Sequence, residues 1–147
     1  MPELIPFRDY PILFVDDEEM AVVTFKHLFK NDFTIYTASN GEEALHFLST
    51  HPEIALIVTD QRMPKMTGLE LLIHVSEKYS NTINILITAY PDLALVVGAI
   101  NKGNLFRYIT KPYEEAFLKE NILQGIERYH LLAIREHFYR TNKPSLL

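Results

Sequence analysis

The feature that most constrains the fold of this 147-residue chain is a regular alternation of short apolar runs with longer segments of helical periodicity. The short runs are rich in branched side chains, a composition typical of β-strands. We predict five strands, over residues 11–15, 33–38, 54–59, 83–87 and 106–109. Helices are predicted between and after them, over residues 20–30, from residue 40 onward, over 69–79, over 91–102 and from residue 113 onward.

Strands and helices that alternate at such short separations indicate a parallel sheet with helices on both faces. Right-handed crossovers between successive strands make this arrangement doubly wound. The third run, IALIVT at residues 54–59, is almost wholly apolar, as expected for a strand that is covered on both faces. We therefore predict an α/β fold with a five-stranded, doubly wound parallel sheet, whose functional residues lie at the carboxyl ends of the strands.

Polar side chains follow four of the five predicted strands. Asp16 and Asp17 follow the first strand, Asp60 the third, Thr88 the fourth and Lys111 the fifth. Three clustered carboxylates repel one another, so a site that keeps them ionised needs a cation. The chain has no cysteine, and no histidine stands at these strand ends, which leaves the hard oxygen ligands suited to Mg²⁺ or Mn²⁺. A single aspartate of this kind could be a solvated loop residue, but three strand ends together disfavour that reading.

A magnesium site beside a lysine and a threonine is suited to binding a phosphoryl group. The sequence contains neither a GxxxxGK[ST] loop nor a GxGxxG motif, so a bound nucleotide is not indicated. The phosphoryl group can instead be carried by an aspartate, whose carboxylate acts as the nucleophile and forms an aspartyl phosphate. Asp60 is the candidate, because it ends the third of five strands and is expected near the middle of the sheet edge.

Four blocks of sequence resemble the receiver domain of two-component response regulators. They are Asp16-Asp17, the run DQRMPKMTG at residues 60–68, Thr88-Ala89 and Lys111-Pro112, in the order and approximate spacing of the family. The resemblance covers about residues 10–130 and implies a flavodoxin-like sheet with strand order 2-1-3-4-5. It also implies a phosphorylation-controlled signalling domain with intrinsic Mg²⁺-dependent autophosphorylation and autodephosphorylation, rather than a conventional enzyme.

The resemblance assigns a role to each matching residue. Asp60 would accept a phosphoryl group from a phosphohistidine on a sensor histidine kinase or a phosphotransfer protein. Asp17 would bind Mg²⁺ directly and Asp16 through water, with Asp60 and the backbone carbonyl of Arg62 completing the protein ligands. Lys111 would pair with the acyl phosphate.

The resemblance also implies a conformational switch. Thr88 would move to hydrogen-bond a phosphoryl oxygen, and Tyr108 would turn inward behind it, which would reshape the surface formed by the fourth helix, the fifth strand and the fifth helix. A cis peptide is expected before Pro112. The alternatives are that Thr88 simply ends a strand and that Tyr108 is an ordinary strand aromatic.

Arg62 and Tyr90 are individual to this chain. They stand two residues beyond Asp60 and Thr88, and they are expected to border the pocket through which attacking water approaches the phosphoryl group. A bulky pair at these positions could shield the acyl phosphate and lengthen its lifetime. Pro91 departs from the commonest family pattern, so the shape of that loop is left open.

The last helix is longer than a receiver domain needs. From residue 114 to about 140 it would span roughly 40 Å, and apolar residues continue along it beyond residue 130. We predict an N-terminal arm at 1–9, a receiver domain at 10–130 and a helical extension at 131–147, with residues 142–147 disordered. The extension could fold back on the domain, form a homodimer contact, or link to an output domain that is absent from this chain.

The net charge and the hydropathy of the chain argue against some classes of binding partner. The net charge of −5 argues against a general nucleic-acid or anionic-membrane binder, and the extension shows no helix-turn-helix, so we expect no nucleic acid to bind this segment. No run of about 18 to 20 apolar residues predicts a membrane helix, and the N-terminus does not resemble a secretory signal. The expected location is the cytoplasm.

Two other functions fit the sequence less well. An aspartyl-phosphate hydrolase of the haloacid dehalogenase type needs Asp-x-Asp at its first strand, but Glu18 follows Asp16-Asp17, and Arg62 stands two residues after Asp60. A degenerate receiver that acts as a constitutive interaction module is disfavoured by the intact acid set together with Thr88 and Lys111.

Overall fold

The computed structural model describes residues 5–90 and 92–142 of the chain. A five-stranded sheet and its helices account for most of them. The strands are β1 Ile12–Val15, β2 Ile35–Ala38, β3 Leu56–Asp60, β4 Ile83–Thr88 and β5 Arg107–Thr110. The α-helices are α1 Glu19–Phe29, α2 Gly41–Thr50, α3 Gly68–Lys78, α4 Leu93–Asn101 and α5 Glu115–Thr141. Residues 1–4 of the predicted arm, Pro91, and residues 143–147 of the predicted disordered tail lie outside the described residues.

All neighbouring strands pair in parallel, in the order β2-β1-β3-β4-β5, which confirms the predicted sheet and strand order. The register aligns the carboxyl ends of the central strands: Val15 pairs with Thr59, Asp60 with Ile87, and Thr88 with Thr110. The polar residues that follow β1, β3, β4 and β5 therefore meet at one edge of the sheet, with Asp60 on the middle strand.

Alternate side chains of each strand point to opposite faces, so the sheet separates two apolar cores. Leu13 and Val15 of β1 face one core, to which α2, α3 and α4 contribute. Ile12 and Phe14 face the other, together with α1 and α5. Helices therefore cover both faces, as predicted, and the central strands β1, β3 and β4 are buried along almost their whole length.

Element boundaries differ from the sequence predictions by one or two residues, and tertiary packing explains the clearest case. The second strand begins at Ile35, two residues later than predicted, because Phe33 is buried in the loop before it. Its ring lies 6.0 Å from that of Phe29. A short 3-10 helix at Phe7–Asp9, which the sequence did not predict, lies within the N-terminal arm.

Helix α5 is a single uninterrupted helix of 27 residues, as predicted. Its buried residues all lie in its first half, where Gly125 packs so closely on Leu56 of β3 that a Cβ atom would overlap that side chain. In the second half, Leu132 is only partly buried against the core. The helix is therefore anchored on the sheet at one end and lightly held at the other.

Candidate functional site

Three carboxylates meet at the carboxyl edge of the sheet. Asp16 and Asp17 follow β1 and Asp60 ends β3, and one carboxylate oxygen from each lies within 4.8 Å of the others. Asp16 is 3 % exposed, Asp60 is partly buried and Asp17 faces solvent. The structure thus brings together the three acids that the strand-end pattern singled out.

The negative charge of Asp16 is not fully balanced by the hydrogen bonds and positive charges around it. Burial raises the pKa of the Asp16 carboxyl above its ordinary value, and the negative charges of Asp60 and Asp17 act in the same direction. The opposing contributions are smaller: a hydrogen bond donated by the backbone N–H of Glu18, at 2.9 Å, and the positive charge of Lys111. A cation placed among these oxygens would relieve the cost.

Lys111 supplies the ammonium group of the site. Its Nζ lies 2.8 Å from a carboxylate oxygen of Asp60. Burial lowers the pKa of the Lys111 ammonium, but the hydrogen bond and charge of Asp60, aided by Asp16, outweigh it and raise the pKa above its ordinary value. The backbone N–H of Lys111 donates to the carbonyl of Thr88 at 2.9 Å, and the Lys111–Pro112 peptide is cis, as the family resemblance implied.

The loop between β3 and α3 is fixed by hydrogen bonds around Gln61. Its backbone N–H donates to Ile87, its backbone carbonyl accepts from Gly68 at 3.0 Å, and its side-chain oxygen accepts from the N–H of Leu69 at 2.8 Å. A Cβ atom at Gly68 would overlap the carbonyl oxygen of Asp60. Sequence reasoning did not single out Gln61, because no periodicity marks a side chain that caps a helix eight residues away.

The loop between β4 and α4 contacts the β3–α3 loop. The Thr88 side chain is buried, and its hydroxyl oxygen accepts a hydrogen bond from the N–H of Tyr90 at 3.1 Å. The ring of Tyr90 is exposed, and the guanidinium carbon of Arg62 lies 4.2 Å from its centroid. The two bulky residues expected near the pocket therefore stack on each other, a cation–π contact.

Tyr108 lies one step further from the site. It pairs in register with Leu86 of β4, and its half-buried side chain packs against the core that α4 shares. The structure thus puts Tyr108 behind the strand end occupied by Thr88, on the α4 side of the sheet.

Tyr113 is a neighbour of the site that sequence reasoning missed. A cleft lined by Asp16, Asp60, Lys111 and Tyr113 extends from the carboxylates toward Met20 of α1. Burial raises the pKa of the Tyr113 phenol, although the charge of Lys111 opposes it, so the phenol stays protonated and neutral at physiological pH. Its position directly after Lys111-Pro112 was the available signal.

The donor set fits a hard divalent cation. Carboxylate oxygens are the ligands that Mg²⁺ prefers, and Mg²⁺ is usually held by one or two of them together with water and substrate oxygens. Asp16, Asp17 and Asp60 provide such oxygens at one point, and the raised pKa of Asp16 reflects too little positive charge there. Residues 12–123 match the family model for the response regulator receiver domain, whose acidic pocket binds Mg²⁺.

That match covers most of the chain, which therefore belongs to the response regulator receiver domain family. The sequence is 31 % identical, over 79 % of the chain, to the hydrogenase transcriptional regulatory protein HoxA of Cupriavidus necator, and spans only 24 % of that relative. It is also 31 % identical to a chemotaxis protein CheY homolog of Campylobacter jejuni, covering 76 % of this chain and 88 % of that one. The resemblance inferred from the sequence is confirmed.

A solved structure is similar along most of the chain. The crystal structure of adenylate cyclase from Rhodopirellula baltica superposes with a TM-score of 0.86 at 30 % identity, covering 90 % of this chain and 98 % of that one. By its family, the receiver domain at residues 12–123 is a signalling domain of two-component systems and not a classical enzyme. Within residues 5–90 and 92–142, every helix is too short or too polar to span a bilayer.

Proposed function

We propose that this chain is a phosphorylation-controlled receiver in which Asp60 accepts a phosphoryl group from a phosphohistidine, on a sensor histidine kinase or a phosphotransfer protein. The observation that carries the proposal is the pairing of Asp60 with Lys111 at 2.8 Å, on the middle strand of the sheet and beside the carboxylates of Asp16 and Asp17. A carboxylate nucleophile that lies beside an ammonium group and a divalent-cation site is suited to forming an aspartyl phosphate.

In the transfer, a carboxylate oxygen of Asp60 forms a bond to phosphorus while the P–N bond of the phosphoimidazole breaks. The electron pair stays on the departing imidazole nitrogen, which takes up a proton. Lys111 already lies beside Asp60, and its ammonium group would then pair with the negatively charged phosphoryl oxygens. Thr88 would donate its hydroxyl proton to another of them. The same site would support autophosphorylation from small acyl-phosphate donors, and autodephosphorylation by water.

Mg²⁺, with Mn²⁺ as an alternative, would neutralise charge on the phosphoryl oxygens as they approach the carboxylates. Asp17 would hold the ion directly and Asp16 through water, with Asp60 and the backbone carbonyl of Arg62 as the other protein ligands. The cluster of three carboxylate oxygens supports the aspartates of this set, and the family resemblance implies the carbonyl of Arg62.

The proposed switch involves Thr88 and Tyr108 and acts on the surface of α4, β5 and α5. Thr88 lies on the same face of β4 as Leu86, with which Tyr108 is in register, so a move of the threonine could be coupled to a move of the ring. Arg62 and Tyr90, stacked over the adjoining loops, would slow the approach of water to the acyl phosphate.

The partners and domain limits are part of the same proposal. We assign an arm at 1–9, the receiver at 10–130 and a helical extension at 131–147. The exposed apolar side chains of distal α5 suit either a homodimer contact or a link to an output domain in a longer native chain. A cytoplasmic location, without nucleic acid or membrane bound by this segment, fits the partners proposed.

The test is incubation with Mg²⁺ and a small acyl-phosphate donor, followed by intact-mass measurement. Wild type and Asp9→Asn, which changes an exposed carboxylate of the arm, should each gain one phosphoryl group, and Asp60→Asn should gain none. Labelling of Asp60→Asn, or no labelling of any chain, would contradict the assignment. Molar mass in solution, measured with and without the donor, tests the homodimer.

A further inference from the structure

Helix α4 ends in a turn that fixes the residues after it. The N–H of Gly103 donates to the carbonyl of Ile100 at 3.0 Å, and that of Asn104 donates to the carbonyl of Ala99 at 2.9 Å. Gly103 has a φ of 77°, so this pair of hydrogen bonds forms a Schellman motif. Asn104 is therefore held in a fixed position relative to the last turn of α4.

Asn104 is in turn joined to two other elements of the domain. Its carbonyl accepts a hydrogen bond at 3.1 Å from the side-chain amide of Asn84, which lies on β4. Its side-chain oxygen accepts a hydrogen bond from the hydroxyl of Ser76 on α3. Leu105, the next residue, is buried in the core. The C-terminal end of α4 is thus attached both to the sheet and to α3.

Asn84 is an unusual residue for its position on the sheet. All six residues of β4 are buried, and apart from Asn84 and Thr88 they are aliphatic. The amide nitrogen of Asn84 faces the carbonyls of Asn104 and Leu72, which only accept hydrogen bonds, and none of the described residues donates to its side-chain oxygen. A buried acceptor without a donor lowers stability. The contact with Asn104, rather than core packing, is therefore what this side chain adds to the fold.

The N-terminal end of α4 has no comparable attachment. Asp92 caps the helix by accepting a hydrogen bond from the N–H of Leu95, which is a contact within the first turn. In the part of the chain that the structure describes, no hydrogen bond or ion pair joins residues 92–96 to another element. Leu95 is exposed, and Val96 is the buried residue nearest to this end. The two ends of one short helix are thus held with unequal strength.

We propose that α4 opens as a flap about a hinge at the contact between Asn84 and Asn104. The N-terminal end of the helix swings away from the sheet, because little holds it there, while the C-terminal end stays in place. The movement withdraws Val96 from the core but displaces Ala99 much less, since Ala99 lies closer to the hinge. This opening belongs to the resting protein and does not depend on phosphorylation of Asp60.

The labelling rate of an introduced thiol tests the direction of opening, because the chain has no cysteine of its own. Val96→Cys and Ala99→Cys each place one thiol at a buried position of α4. With dithionitrobenzoate under native conditions, Val96→Cys should react about tenfold faster than Ala99→Cys or more, because it lies farther from the hinge. Equal rates, or a faster reaction of Ala99→Cys, would refute the hinge.

Asn84→Val tests the residue that forms the hinge. Valine suits a buried strand and leaves no unpaired acceptor at this position, so the free energy of unfolding in urea should be unchanged or higher. The loss of the hydrogen bond to Asn104 should nevertheless speed the labelling of Ala99→Cys by roughly five- to tenfold, so that the rates at the two α4 positions converge. Ser76→Ala, which preserves the helix propensity of α3, should act in the same direction with a smaller effect.

Val75→Cys serves as the matched control, because Val75 is fully buried on α3 and lies outside the flap. Its labelling rate should be the same with and without Asn84→Val. If Asn84→Val lowers the free energy of unfolding and speeds labelling at all three positions alike, Asn84 is an ordinary core residue and the hinge is wrong. An unchanged ratio between the two α4 positions in Asn84→Val protein would equally show that Asn84 does not hold this end of the helix.

Discussion

Helices α3 and α4 follow neighbouring strands and begin at the same edge of the sheet, but they are attached to it differently. Helix α3 buries Leu71, Leu72 and Val75 completely, and its first turn is joined to the loop of Asp60 through Gln61. Helix α4 buries only Val96 and Ala99 of its nine residues. The remaining large side chains of α4 are aliphatic and exposed, namely Leu93, Leu95, Val97 and Ile100.

The difference separates two mechanical requirements of a phosphorylation site. In the proposed reaction, the carboxylate of Asp60 would have to stay in place relative to Asp16 and Asp17, and α3 would provide that support. The loop after Thr88 leads into a helix with little buried surface, whose displacement costs little packing energy. Leu93, Val97 and Ile100 lie on one face of that helix, so its movement would also redirect an apolar surface.

The largest expected contrast comes from removing a leucine side chain on each helix. Leu72→Ala should lower the free energy of unfolding by about 3 kcal/mol, because it leaves a cavity in the core. Leu95→Ala should lower it by about 0.5 kcal/mol or less, since Leu95 is 55 % exposed. Urea denaturation of both variants measures the contrast. Equal losses would mean that α4 is packed as firmly as α3.

Glycines give a second contrast, of opposite sign on the two helices. Gly68→Ala should destabilise the protein by about 2 kcal/mol, because the Cβ would overlap the carbonyl oxygen of Asp60 and crowd Leu86. Gly98→Ala in α4 meets no atom within 4 Å and should stabilise by about 0.5 to 1 kcal/mol through helix propensity. Thermal unfolding of both variants checks the signs, and a stabilising Gly68→Ala would refute the close approach at that loop.

Removing the N-terminal cap of α3 or of α4 tests whether the resulting loss of stability is global or confined to one helix. Thr67 caps α3 by accepting from the N–H of Glu70, and Asp92 caps α4 by accepting from that of Leu95. Alanine at either position should cost about 1 kcal/mol of helix stability. For Thr67→Ala the loss should appear in global unfolding, whereas for Asp92→Ala it should appear as faster amide exchange confined to α4. Exchange that spreads to α3 in Asp92→Ala would show that the helices open together.

A smaller effect concerns the negative charge of Asp16 at the carboxyl edge of the sheet. The raised pKa of Asp16 means that the folded protein holds this proton more tightly than the unfolded chain does. In the absence of divalent cation, this group therefore lowers stability as the pH rises above 3.8 and through the raised value.

Asp16→Asn should remove that loss, so at pH 7 without Mg²⁺ the variant should be more stable than wild type, and the difference should vanish below pH 3.8. Added Mg²⁺ should stabilise wild type more than the variant. Thermal midpoints with Mg²⁺ and with a chelator measure both effects, and Asp9→Asn serves as the control. A variant less stable than wild type in the chelator would contradict the prediction.

Much of this architecture could be predicted from the sequence because its signals are local. Asp16, Asp60 and Lys111 each follow an apolar run. Parallel pairing brings the carboxyl ends of these strands together, whatever conformation the loops adopt. The contact between Arg62 and Tyr90 could not be predicted, because it depends on how two loops face each other. Nor could the hydrogen bond between Tyr10 and His130, which are 120 residues apart and lie outside any periodic pattern.

The weak packing of α4 could not be predicted from the sequence either, for a different reason. Its sequence, LALVVGAIN, is apolar up to the final asparagine, which predicts a buried helix rather than an exposed one. In the folded protein only Val96 and Ala99 of this helix are buried, and most of its apolar surface is uncovered. Composition reports how apolar a helix is, but not how much of the neighbouring structure is available to cover it.

The distal half of α5 has the geometry of a lever. Beyond Ile126, its last buried side chain, the helix continues for about 15 residues, or roughly 22 Å. His130, near its base, is hydrogen-bonded to Tyr10, and Glu136, about 15 Å beyond Ile126, is hydrogen-bonded to Asn81. If the Asn81–Glu136 bond opens, a tilt of about 5° at Ile126 would displace the end of the helix by about 2 Å, since displacement grows with the length of a stiff rod. Small adjustments beneath the sheet would thus arrive at residue 141 as displacements large enough to make or break a contact.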